Sequence, residues 1–277
     1  MIYYKSKDEI RILREGGRRL ALILKELALM VKPGLETAEL EKVAEQLILA
    51  AGGRPAFKNY PMGGGILFPS VLCISINDEV VHGSSLPSRT LGEGDIVDID
   101  IGMEWPITAE LREEYQAPVN QHSSLGGYYT DTCLTVPVGK VSAEAQQLIQ
   151  VTKECLARGL KVIKPGKTIN DIARAIERLA KKHNYGIVRD LVGHGVGYFA
   201  HEAPDVFNYT INPRLEENVI LKPGMVIAVE PMLNLGDWQI KVADNDYTIL
   251  TADGSLSAHF EHTIAITETG YEILTKA

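Results

Sequence analysis

Between Lys7 and Met30 the apolar residues Ile10, Leu13, Leu20, Leu24 and Leu27 recur at near-helical spacing, which predicts a surface helix with one buried stripe, ended by Pro33-Gly34. Thr37 can cap a second helix carrying Leu40, Val43, Ala44, Leu47 and Ala51, which stops at Gly52-Gly53. The same grammar then returns. Ser142 precedes a helix bearing Leu148, Ile149, Leu156 and Leu160, Pro165-Gly166 breaks it, and Thr168 with Asp171 forms a capping box for a helix from Ile169 to Leu179.

The repetition extends to whole segments. VKPGLETAELEKVAE at 31–45 lies over IKPGKTINDIARAIE at 163–177, offset by 132 residues, and LGEGDIVDID at 91–100 lies over LKPGMVIAVE at 221–230, offset by 130. Two collinear matches predict a single domain over 1–277 written twice, with half-repeats at about 7–138 and 142–270, each a helix pair followed by strands. Alternation puts Asp98 and Asp100 on one strand face, and the overlay pairs Asp100 with Glu230. The one irregular stretch, about 103–128, holds Pro106, Pro118, Glu110, Glu113, Glu114 and Gly126-Gly127, and reads as an inserted loop or an extended hairpin tip.

Composition narrows the function classes. A chain of 277 residues with 45% hydrophobic content can bury a large core, and a net charge of −8 argues against nucleic-acid binding, which needs a basic surface. Cys73, Cys133 and Cys155 are an odd, widely spaced set without CxxC, which fits a reducing compartment and makes the cytoplasm the expectation. MIYYKSKDEI lacks an apolar signal region, and LALIL at 20–24 is stopped by Lys25, so no membrane segment is expected. Arg11, Arg14, Arg18 and Arg19 read either as a docking patch beside a ribosome or, more plainly, as a solvated helix face.

Candidate chemistry gathers on the duplicated strands: Asp100 in DIVDID, Asp131 in YYTDTCLTV, Glu230 in VIAVEP, Glu261 in HFEHTIAI, with His194 in GHGVGYFAHEAP. Acids among Val and Ile either neutralise or find a positive partner, and no lysine or arginine accompanies them in these motifs. Four carboxylates and an imidazole suit two first-row divalent cations sharing one water. The glycines of GHGVG let backbone crowd past a metal-bound imidazole; the run lacks the Lys-Ser/Thr of a phosphate loop. His201 lacks the helical spacing of a paired zinc ligand, so it is better placed to touch substrate.

GHGVGYFAHE, VIAVEPM, SLSAHFEHTI and CISINDEVVHG resemble the motifs of type I methionine aminopeptidases, and the likeness runs with the motifs in order from about Tyr3 to the C-terminus. The resemblance implies the α+β pita-bread fold: two pseudo-twofold-related halves, antiparallel sheet inside, helices outside. It implies Asp100, Asp131, His194, Glu230 and Glu261 as ligands of two divalent ions (Co, Mn, Fe or Zn), with Asp131 and Glu261 bridging. By the same resemblance, His82 contacts substrate near the scissile peptide and His201 steadies the tetrahedral intermediate. In the reaction this suggests, Glu230 shuttles the proton, and Phe68 and Cys73, with Tyr60 nearby, read equally as a methionine pocket or as ordinary core residues. His262 is expected in the core or behind the ligands.

The implied activity is removal of the initiator methionine from peptides or nascent polypeptides by a monomeric enzyme. A proline-specific peptidase of the same fold and a non-catalytic pita-bread module that binds peptides or proteins are the alternatives. Three departures from the family pattern stand out: the long interval from Asp100 to Asp131, Ala200 and Val81 ahead of His201 and His82, and Tyr247 at the place of a usual tryptophan.

Overall fold

The computed structural model describes residues 1–277. Helix α1 (Lys7–Met30) starts at a capping box: the Ser6 hydroxyl accepts from the Glu9 N–H at 3.2 Å, and the Glu9 carboxylate accepts from the Ser6 N–H at 2.7 Å. Helix α2 (Thr37–Ala50) departs from the expected cap, because Glu36 occupies that position and Thr37 is already helical. The Thr37 hydroxyl donates instead to the Ser85 carbonyl at 2.7 Å and accepts from the Arg89 N–H at 2.9 Å, so it ties the helix to a loop rather than ending it.

Helix α3 (Ala109–Glu114) lies inside the inserted stretch and is capped by Thr108. Helix α4 (Ala143–Lys161) begins at Ser142, and α5 (Ile169–Lys182) at the expected Thr168–Asp171 box, running three residues past Leu179.

All pairings within the sheets are antiparallel. In the first half the strand Ile96–Trp105 lies between Leu72–Ile76 and Tyr128–Pro137. In the second, Val226–Val229 lies between Gly193–Gly195 and His262–Ile266, with Glu202–Val206 and Tyr271–Ile273 outside them. Helices α1 and α2 press Leu13, Leu20, Leu24, Leu40 and Ile48 onto the first sheet, beside Ile74, Val97 and Ile99. Helices α4 and α5 press Leu148, Leu156, Ile172 and Ile176 onto the second, beside Ile227 and Ile264. Each half therefore has its own apolar core, with the sheets inside and the long helices outside.

Threonines join the halves. The Thr263 hydroxyl donates to the Asp131 carbonyl at 2.7 Å and accepts from the Asp131 N–H at 3.0 Å, and the Thr132 hydroxyl donates to the Glu261 carbonyl at 2.9 Å. Side-chain hydroxyls thus satisfy backbone groups that a continuous ladder would have paired. The consequence is positional: this seam sets Asp131 of one half beside Glu261 of the other.

The insertion is shorter and more ordered than the sequence suggested. Met103, Glu104 and Trp105 pair with Thr130, Tyr129 and Tyr128, which confines the irregular part to 106–127. Glu104 is buried at its base, where it pairs with Arg54 at 2.5 Å and accepts from the Gly127 N–H at 3.1 Å. Arg11 donates to the carbonyls of Tyr115 at 2.8 Å and Gln116 at 3.1 Å, and Arg19 to the Tyr115 hydroxyl at 2.7 Å. Arg14 pairs with Glu272, and Arg18 with Glu15 at 3.0 Å. Each of these α1 arginines thus has a partner within the chain. No helix is long and apolar enough to cross a membrane.

Candidate metal centre

A cavity of about 320 Å³ opens between the two halves, and its lining includes every site residue singled out from the sequence: Tyr60, Phe68, Cys73, His82, Asp100, Asp131, His194, His201, Glu230 and Glu261. None of the residues lining it is lysine or arginine. Strand geometry delivers the acids. Asp100 sits opposite Cys73 on one neighbour and Cys133 on the other, and Asp131 follows two residues before Cys133 on the same face. Glu230 and Glu261 extend the paired strands Val226–Val229 and His262–Ile266, just past the Val229–His262 pair.

Ligand atoms of Asp131, His194 and Glu261 lie within 4.8 Å of one another, and His194 Nε2 is 3.4 Å from Glu230 Oε1. All four acids are buried. Asp100 Oδ1, Asp131 Oδ1 and Glu261 Oε1 have no hydrogen-bond partner in the protein. Burial first, then mutual repulsion, raises Asp131 and Glu261 well above the usual carboxylate range, and Asp100 and Glu230 rise for the same first cause. Burial, with His201 beside it, lowers His194 to about 3, so its ring is neutral and has a lone pair to give. Unpartnered buried oxygens and a neutral imidazole, with no lysine or arginine in the lining, fit hard-to-borderline divalent cations.

His201 and His82 also line the cavity. The rings of His194 and His201 are 4.2 Å apart between centroids, and His201 Nδ1 is 2.9 Å from the Tyr60 hydroxyl, which leaves Nε2 for the cavity. His82 holds φ +58, a left-handed backbone that histidine seldom takes, and its carbonyl accepts from the Thr248 hydroxyl at 3.1 Å. Burial lowers His82 to about 4, with His201 and His259 adding to the effect. His262 faces away, its Nδ1 3.0 Å from Thr275 Oγ1 behind the sheet.

The apolar wall is a cluster of Phe57, Phe68 and Cys73, packed on by Tyr60, Met62 and Tyr247. Tyr247 meets Phe68 edge-on at 5.6 Å. Val81 lines the cavity, whereas Ala200 lies in an adjoining outer groove with Tyr129 and Phe199.

Sequence patterning did not place Phe57, Met62, Cys133 or His259 at the site. Phe57 and Met62 line the cavity, but the segment around them has no periodicity to mark them. Cys133 and His259 could have been found, since each lies two positions from a candidate acid, Asp131 or Glu261. His259 Nδ1 is 3.4 Å from Asp98 Oδ2 and its Nε2 is 3.5 Å from Glu230 Oε2. Burial alone would lower the His259 pKa, but these two carboxylates outweigh it and hold it well above the ordinary value.

Comparison with known proteins agrees with this geometry. The sequence pattern of metallopeptidase family M24 matches residues 11–111 and 122–268, with the break inside the insertion. Methionine aminopeptidase 1 of Bacillus subtilis (strain 168) is 41% identical over 280 aligned positions that cover 100% of both chains. The crystal structure of a methionine aminopeptidase from Thermotoga maritima superposes with a TM-score of 0.87 at 36% identity, covering 100% of each chain. A prolidase from Pyrococcus furiosus shares the fold, with a TM-score of 0.70 at 23% identity, over 99% of this chain and 65% of that one. The chain belongs to metallopeptidase family M24 and, within it, to the pita-bread methionine aminopeptidases.

Proposed function

We propose that this chain is a metal-dependent hydrolase that removes the N-terminal methionine from polypeptides, preferring a small second residue, and that 1–277 works as one catalytic domain with half-repeats at about 7–138 and 142–270. The observation that carries this reading is the meeting of four buried carboxylates and a neutral imidazole, drawn from both halves, beside a wall of Phe57, Met62, Phe68 and Cys73. That wall suits an unbranched thioether side chain.

In this reading Asp100, Asp131, His194, Glu230 and Glu261 would hold two divalent ions. Cobalt, manganese, iron and zinc all suit such donors, and cellular supply selects among them. Bound there, the ions supply Lewis acidity and make water a nucleophile near neutral pH. Glu230 takes the proton from the attacking water and returns it to the departing amine. His201, oriented by Tyr60, donates to the oxygen that becomes negative. His82, neutral and fixed by its backbone, hydrogen-bonds the scissile amide.

Three unpaired buried cysteines suit a cytoplasmic setting, and a monomer is part of the same proposal. Nascent chains as substrates would bring the protein near ribosomes. The test is release of free methionine from Met-Ala-Ser with manganese, cobalt, iron or zinc added. Cleavage of Ala-Pro substrates instead would make the chain an Xaa-Pro peptidase. Absence of both activities, with no ions bound, would make it a binding module.

A further inference from the structure

Asp98 is a fifth buried carboxylate beside the site, and neither it nor His259 has a part in the proposed ligand set. Together they form a line into Glu230. The His259 ring lies between the two acids, Nδ1 3.4 Å from Asp98 Oδ2 and Nε2 3.5 Å from Glu230 Oε2. Asp98 is 3% exposed and His259 2%, and Asp98 Oδ2 and both ring nitrogens have no other partner in the protein. Buried polar atoms left this way are costly unless they serve one another.

The backbones on either side are fixed independently. Thr135 Oγ1 accepts from the His259 N–H at 2.9 Å and lies 3.2 Å from Asp98 Oδ1. Thr135 also sits opposite Asp98 in the strand pair, and His259 opposite Met232, two residues beyond Glu230. The ring is therefore held at its distance from both acids by strand register.

We propose that His259, oriented by Asp98, is a positioning residue for Glu230: its Nε2 holds Glu230 Oε2 and thereby turns Oε1 toward the place where His194 and Glu230 would share an ion. Glu230 Oε1 lies 3.4 Å from His194 Nε2, so the two oxygens of one carboxylate already face different partners. Removing the imidazole frees that carboxylate to rotate, and an ion depending on it is bound more weakly. Residues that orient metal ligands in this way contribute roughly 10- to 100-fold to affinity or rate. Cys133 stands close to Asp98 and His259, within 4.8 Å ligand atom to ligand atom, but both ring nitrogens already face carboxylate oxygens. The trio thus reads as a relay with a bystander thiol, and a metal site of its own is an outcome of the test.

The inference rests on Glu230 being a metal ligand. Metal-free wild type and the variants H259A, H259Q, D98N, C133S and E230A are titrated with manganese(II) by calorimetry, and the cobalt(II) forms are compared by visible absorption. Wild type and C133S are expected to take two ions alike. H259A is expected to weaken one ion by about 10- to 100-fold and shift the cobalt bands, with D98N moving in the same direction. The double variant H259A/D98N should be no weaker than H259A alone, because both act through one contact. Turnover of Met-Ala-Ser should fall in kcat with KM little changed, and H259Q, which keeps a donor, should recover part of it. Circular dichroism of the metal-free variants checks folding, and H259Q carries the test if H259A does not fold. Wild-type affinity in both H259A and D98N, or a third ion lost in C133S, would overturn the inference. Unchanged binding in E230A would instead overturn the ligand reading beneath it.

Discussion

His194 and His201 lie ring against ring, 4.2 Å between centroids, because the chain between them folds back on itself. Gly195 pairs with Glu202 and Gly193 with Val206, and a Cβ on Gly195 would stand 2.2 Å from the Ala203 carbonyl oxygen. The glycines permit two backbones to pass at a distance that no side chain allows. One short hairpin therefore brings two imidazoles to the same cavity, to which the proposed function gives different roles: His194 for the metal centre and His201 for the substrate.

Those two roles separate under mutation. His194→Ala should lose one ion and with it activity, since a donor is removed. His201→Ala should keep both ions and lower kcat by about 10²- to 10³-fold, the usual cost of removing one donor to a developing oxyanion. Calorimetric stoichiometry alongside Met-Ala-Ser kinetics checks this, and loss of an ion in His201→Ala would make it a ligand instead.

Tyr60 offers a milder perturbation of the same ring. Its hydroxyl is 2.9 Å from His201 Nδ1, and Tyr60→Phe removes that contact while keeping the aromatic wall. One neutral hydrogen bond contributes about 0.5–1.5 kcal/mol, so kcat should drop by up to about tenfold with KM and metal content steady. A rise in KM without loss of kcat would show that Tyr60 serves the methionine pocket alone.

The four long helices and the doubling were legible because apolar spacing and Pro-Gly stops are local signals. Thr37 misled because a threonine before an apolar run looks like a cap, yet its hydroxyl is claimed by Ser85 and Arg89, about fifty residues away in sequence. Asp98 and Asp100 share a face, so alternation could not rank them. The structure separates them: Asp98 stands opposite Ser75 and Thr135 and faces His259, whereas Asp100 stands opposite Cys73 and Cys133 and lines the cavity with Asp131. A step of two residues moves a carboxylate roughly 7 Å along the strand, enough to take it out of reach of Asp131. Asp100 to Asp131 and Glu230 to Glu261 are both intervals of 31 residues, but different elements fill them. The first interval holds α3 in the insertion, and the second the strands Met232–Asn234, Ile240–Val242, Ile249–Thr251 and Ser257–His259.

Trp105 anchors the insertion and should matter for stability alone. It is 1% exposed and packs on Gly16 of α1, its Nε1–H donates to the Ala51 carbonyl at 3.0 Å, and the Arg19 guanidinium lies 4.9 Å from its ring. Trp105→Ala should destabilise the chain by about 3–5 kcal/mol, the range for emptying a large aromatic site. Urea unfolding would measure this, with manganese stoichiometry expected to stay at the wild-type value.

The dependence of metal stabilisation on pH tests the electrostatics of the site directly. Without metal, Asp100, Asp131, Glu230 and Glu261 titrate above their unfolded values, so the folded state binds more protons than the unfolded one over that range. Their contribution is fully present below the unfolded carboxylate pKa and is lost as pH rises through the folded values. His194 and His82 have the opposite sign: lowered to about 3 and 4, they add stability as pH rises toward 6.5 and contribute no further change above it. Ions compete with protons for the same carboxylates, so affinity must climb with pH where those groups still carry protons. The gain in melting temperature given by a fixed manganese excess over chelated protein should therefore grow from pH 6.5 to 8, and other titrating groups far from the site cancel in that difference. A gain that stays flat or shrinks over this interval would mean that the buried acids are already ionised before metal arrives, and that some positive group in the fold neutralises them.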